Sequence, residues 1–255
     1  MKMHSEVLKT MDDNLRNLLQ TIRSDSPERD KAVFQLLESN PESIKSAMTF
    51  MLKEDEKERY ASISPFISQL TPGSAHGRGE AIINLLLLDR FSLPWLEKAS
   101  VLHPSNLILK KIKEEIVVLE SIFELTPVKK VVNSVIDSPL NLTDKLIRAT
   151  EPIYIYDNID NDNKKLISLM EINIDAWRNA REELLRIGQA AILPLSESLK
   201  YSNRFIQRLA LRTLLTFEMP NFLITVTKLL NESDVFVRDE AALAISQLCA
   251  RGQTE

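Results

Sequence analysis

Three alanines set the frame for this chain. Ala180, Ala210 and Ala241 stand 30 and 31 residues apart, each in the same pattern of large apolar side chains. Leu184, Leu214 and Ile245 follow four residues on, then Ile187, Phe217 and Leu248 seven residues on. Ahead of the later two alanines, Phe205 and Ile206 match Phe236 and Val237, and Asn203 matches Asp234 as a helix cap. Such intervals place the apolar residues on one helical face. A period of this size built from two short helices predicts a solenoid, in which each hairpin buries its apolar face only by stacking on its neighbours. Only five glycines and 6% aromatic residues argue against barrels and sandwiches, whose turns and pleated faces use both freely. The expected fold class is therefore all-α, an α-solenoid preceded by an irregular N-terminal helical region.

Two stretches resemble the HEAT (armadillo-type) helical repeat family. "IGQAAILPLSESL", Ile187 to Leu199, is similar to that family's link from first to second helix, with Ala191, Pro194, Leu195 and Leu199 at its usual intervals. "DVFVRDEAALAISQL", Asp234 to Leu248, resembles its first helix, with Val237 and Arg238 followed by Ala241 and Ile245. The units are shorter than the commonest HEAT repeat and closer to the variety known from bacterial lyase-like HEAT proteins. The resemblance covers the C-terminal third. It implies that Gly188 ends a helix in the left-handed conformation and that Pro194 falls in an early turn, where a missing N–H matters least.

Upstream, apolar spacing predicts helices over 5–23, 27–39, 41–53, 55–70 with a break near Pro65, 79–91, 94–101, 104–125, 127–137 and 142–151. "SPE" at Ser26 and "NPE" at Asn40 are capping signatures with proline at the first helical position. "EPIYIYDNIDNDNKK", from Glu151, reads as an irregular connection. Its acids do not fit a calcium loop, since Lys165 stands where such a loop needs glycine. The expected domains are 1–151, a linker over 152–165, and a repeat domain over 166–255.

Composition bounds the function. One cysteine, Cys249, rules out an internal disulfide framework or a multi-cysteine zinc site and fits a reducing compartment. The longest apolar run, "AIINLLLL", is too short to span a bilayer, and the first residues hold no secretory apolar stretch. A cytoplasmic protein without membrane partners is expected. A net charge of −4 with dispersed Lys and Arg gives no global pull toward nucleic acid.

Two constellations are candidate sites. "TPGSAHGRGE", Thr71 to Glu80, holds three of the five glycines. It lacks the lysine of a phosphate loop and the spacing of a nucleophile elbow, so it reads as a helix joint. Ser74, His76 and Arg78 would be the ligand-contacting residues if that loop binds anything. The second is Arg204, Arg208 and Arg212, which share an arc of about 80° on one helix. Leu211 and Leu215 flank this basic stripe, a mixture suited to docking on an acidic protein surface. The competing reading pairs these arginines with acids of a neighbouring repeat, such as Glu182, Glu183, Asp239 or Glu240. Lys110, Lys111 and Lys113 alternate with Glu114, Glu115 and Glu120 on helix 104–125, as on a solvated helix laced with weak pairs.

His4, His76 and His103 show no metal-binding spacing, and no catalytic constellation, metal site or cofactor is expected. Trp95 and Trp177 read as packing anchors, and Cys249 as a small buried hydrophobe. The expected function is non-catalytic: an adaptor, scaffold or regulatory subunit that binds another protein, through an acidic patch of that partner. The alternative is a nucleic-acid-binding HEAT-like protein, including the DNA glycosylase type. A third reading, a small-ligand enzyme using the Ser74–Glu80 loop, predicts that His76→Ala abolishes an activity without unfolding the chain.

Overall fold

The structure, a computed structural model, describes residues 13–70, 77–123, 163–200, 203–217 and 222–250. The expected helices at 127–137 and 142–151 lie outside them. Every regular element among the described residues is a helix, and the fold is all-α. Packing resolves the chain into two compact units, Met1–Glu58 with Glu218–Glu255, and Arg59–Phe217. These units run across the expected boundaries at 151 and 166.

The first unit joins helices from both ends of the sequence. α1 (Asp13–Ile22) buries Leu15, Leu18, Leu19 and Ile22, one stripe at helical spacing, against α2 (Arg29–Leu37) and α3 (Pro41–Glu54). α3 begins where "NPE" predicts: Asn40 Oδ1 accepts from the Ser43 N–H at 2.9 Å and Pro41 opens the helix. At "SPE" the helix starts later, at Arg29, because Ser26 closes a turn first through its carbonyl and hydroxyl. The return pass supplies α11 (Phe222–Lys228) and α12 (Val235–Ala250), with a 3-10 turn at Leu229–Asn231 between them.

α12 is buried along most of its length, its first eight residues without interruption. Its most extensive packing is on α3, where Ile44, Ala47, Met48 and Met51 are fully buried. Helices nearly 200 residues apart in sequence therefore form one core. Stacking in which each repeat touches only its neighbours does not make that contact.

The second unit is built round α5 (Arg78–Leu88), which is buried on all sides but the one that carries Glu80 and Asn84. Around it pack α7 (Leu107–Phe123) and α8 (Asn163–Ile187); α6 (Leu93–Leu102) lies on α7, and α10 (Arg204–Leu214) on α8 and α9 (Ile192–Ser198). The first residues of α8, Asn163 to Lys165, belong to the stretch expected to be irregular. α4 (Glu56–Leu70) carries the boundary between the units. It runs unbroken through Pro65, contrary to the expected break. Pro65 and Ala61, whose carbonyl loses its amide partner, are both exposed, so water can satisfy the freed group.

Two glycines act through their backbone. Gly77, at φ 78°, caps α5 in the left-handed region. Gly188, at φ 72°, follows α8 as the repeat resemblance implies. The caps of the repeat are also equivalent: Asn203 Oδ1 accepts from the Phe205 and Ile206 amides at 2.9 and 3.3 Å, and Asp234 Oδ1 from Phe236 and Val237 at the same two distances. One position further along each helix, Gln207 and Arg238 both reach back to carbonyls that precede their own caps.

Candidate functional site

The chemistry of the second unit concentrates at the end of α5. Its four consecutive leucines, Leu85 to Leu88, run into Asp89, which is 1% exposed and stands at φ 40°, the only non-glycine positive φ among the described residues. A carboxylate there faces the negative end of the helix dipole as well as an apolar interior, so it requires strong compensation. α10 supplies it. Arg208 donates from Nη2 to Asp89 Oδ1 at 2.9 Å and from Nη1 to the Leu87 carbonyl at 2.6 Å. Arg212 donates from Nη1 to Asp89 Oδ2 and from Nη2 to both oxygens of Glu120, at 3.1 and 3.2 Å. Arg90 adds a longer contact to Glu120, 3.8 Å. Arg208 also lies over the Phe91 ring, 5.0 Å from its centroid.

Burial pushes the Asp89 carboxyl up, but Arg208, then Arg212 and Arg90, outweigh it and hold the group below its ordinary value. Arg181 of α8, 2% exposed, is affected in the opposite sense for a base: burial, then Arg212, pull its guanidinium down to about 10. Asp89 and Arg181 both keep their charge at neutral pH. The arginines and carboxylates form an ionic clasp that ties α10 to the end of α5 and to α7.

This geometry corrects the docking stripe. Arg208 and Arg212 are 2% and 6% exposed, and Leu211 and Leu215 are buried with them. Only Arg204 is part-exposed, its guanidinium 4.9 Å from the Phe205 ring centroid. A helical wheel separates basic from apolar arcs and assigns the basic one to solvent; Asp89 and Glu120, about a hundred residues away, turn it inward instead. Asp89 and Glu120 are partners of Arg208 and Arg212 that the helical wheel did not suggest. Glu115, buried and tied to Lys111, and Glu120 likewise leave the solvated face expected for them.

The first unit holds a second clasp that sequence reasoning missed. Asp55, at the C-terminus of α3 and 2% exposed, accepts from Arg23 at 2.6 Å and from Arg238 Nε at 3.3 Å. Arg238 also donates to Glu58 at 2.7 Å. Burial pulls the Arg238 guanidinium down, and the hydrogen bond and charge of Asp55, then Glu58, more than reverse this. One signal was available for both clasps: an aspartate at the end of a helix, where the dipole disfavours it, asks for a cation.

Ser74 and His76 lie outside the described residues. Arg78 is part-buried in the first turn of α5, immediately after Gly77. Trp95 packs against Tyr60 with ring centroids 4.5 Å apart and the planes tilted by 43°, and Trp177 is buried beside a small apolar cleft whose walls include Ile83, Leu86, Leu119, Ile174 and the polar Asn173. Cys249 is buried, and burial raises its thiol further from the reactive thiolate. Among the described residues, no three His, Cys, Asp or Glu side chains gather as metal ligands, and no helix is long and apolar enough to cross a membrane.

The exposed apolar residues are unevenly spread. Val101 and Leu102, 78% and 69% exposed, end α6, and Leu107, 54% exposed, begins α7 across a four-residue turn. Val117 and Val118 follow on the outward side of α7. No protein-family model, curated protein or solved structure matches this chain.

Proposed function

We propose that this chain is a non-catalytic protein-interaction module of HEAT-like helical hairpins, acting as an adaptor or regulatory subunit. The observation that carries this reading is the apolar surface of the α6–α7 hairpin, which holds five of the eight exposed large apolar side chains among the described residues, Val101, Leu102, Leu107, Val117 and Val118, while Phe34, Tyr60 and Leu193 stand singly on other helices. Apolar side chains grouped at one end of a hairpin favour a protein partner over water. The Asp89 clasp adds support, because it ties α10 to the end of α5 and commits Arg208 and Arg212 there. That commitment withdraws the surface on which both the acidic-partner and the phosphate-binding readings rested. Partner recognition moves from α10 to α6–α7.

The test is capture from the native cell lysate by the tagged full chain at low salt, with wild type compared against Val101→Asp/Leu102→Asp. A stoichiometric protein retained by wild type and lost by the variant, with unchanged melting, is the expected result. Equal retention by both would reject this face. Retention of nucleic acid alone, released by moderate salt, would make the nucleic-acid reading the leading one.

A further inference from the structure

We propose that the outward face of α7 pairs with the same face of a second copy of this chain, antiparallel, about a two-fold axis at the level of Ile112. The inference rests on the reading of α6–α7 as a protein-binding face and names one partner for it. α7 turns Ile108, Leu109, Ile112, Ile116 and Leu119 inward. At 100° per residue, Leu107, Lys110, Glu114, Val117 and Val118 fall together on the opposite side, and all five are exposed.

The order of these residues is self-complementary. Lys110 and Glu114 stand two residues either side of Ile112, and Leu107 and Val117 five either side. A two-fold axis at that level sets Lys110 against the partner's Glu114, and Leu107 against the partner's Val117 and the partner's Val118. Isologous pairing requires this of one patch: residue i meets j while j meets i. The charges are also available. Lys111 and Glu115, one position along, form an ion pair within the helix, whereas Lys110 and Glu114 form none among the described residues. Lys111 and Lys113 lie on the two flanks of the seam.

A helix of 17 residues is about 25 Å long, so the contact is at the small end of specific interfaces. A dissociation constant on the order of tens of micromolar is expected.

Sedimentation equilibrium of the full chain from about 5 to 500 µM tests this, a range bracketing that affinity. Wild type should show monomer and dimer, and Val117→Asp only monomer. Lys110→Glu and Glu114→Lys should each weaken the dimer about tenfold or more, since each sets like charges face to face. An equimolar mixture of those two variants should dimerise again, because every like pair becomes an opposite pair. All three positions are exposed, so folding is retained and is checked by circular dichroism. A wild type that stays monomeric throughout, a dimer indifferent to the single variants, or variants whose mixture does not recover would each overturn the proposal. A monomer that still captures another protein through Leu102 would overturn it while leaving the interaction-module reading in place.

Discussion

Replacing Asp89 with asparagine keeps the side chain's shape and its tolerance of a backbone at φ 40°, but deletes the charge that two buried guanidiniums share. Arg208 and Arg212 then lose the buried carboxylate they share, while Arg212 keeps Glu120 and Arg208 keeps the Leu87 carbonyl and the Phe91 ring. Removing one partner of a buried ionic set costs about 3–5 kcal/mol. With a urea m-value of about 1–3 kcal/mol/M, the unfolding midpoint should fall by about 1 M or more. Tryptophan fluorescence reads the correct unit, because Trp95 and Trp177 are the only tryptophans and both lie in Arg59–Phe217. Adding Arg208→Met should recover part of the loss, because the stranded charge leaves with the side chain. A midpoint for Asp89→Asn within about 0.3 M of wild type would refute the reasoning, for it would mean that the clasp carries no stability.

The Asp89 carboxyl is held below its unfolded value, so its contribution is complete above the unfolded pKa and is lost as pH falls through the folded one. Acid titration of the tryptophan signal should therefore show this unit holding through mild acid and failing only below the ordinary carboxylate range, and Asp89→Asn should remove that dependence. In the other unit, Arg238→Met leaves Asp55 with Arg23 and removes the donor to the carbonyls of Glu232 and Ser233, at a cost of about 1–3 kcal/mol. Hydrogen exchange should localise the loss to α3 and α12. Asn203→Ala and Asp234→Ala each remove a cap that accepts two amides and should each cost about 1 kcal/mol by denaturant melts. Gly77→Ala should cost about 1–2 kcal/mol through its positive φ, with little added by the Gln69 side chain, which is flexible and 3.3 Å from the new methyl group.

Much of the helical content was legible along the chain, because a helix is written in residues three and four apart. The stripe of α1, the "NPE" start of α3, the left-handed Gly188 and the twin caps Asn203 and Asp234 all involve neighbours within a turn or two. Pro65 was misread because whether a proline breaks a helix depends on whether water reaches the orphaned carbonyl, which local sequence does not encode.

The destination of the charged residues was decided by tertiary structure alone. Arg208, Arg212 and Glu120 occupy wheel positions that suit solvent, and only the arrival of Asp89 at the end of α5 makes burial tolerable for them. The pairing of α3 with α12 is of the same kind, since an apolar face specifies that it must be covered and not by what. Sequence by itself determined which segments are helices and which of their faces are apolar, because those follow from short-range sterics and periodicity. The fold decided which helices share a core, which arginines became clasps and which apolar side chains stayed on the surface, because hydrophobic burial and charge compensation act between residues that only the folded chain brings together.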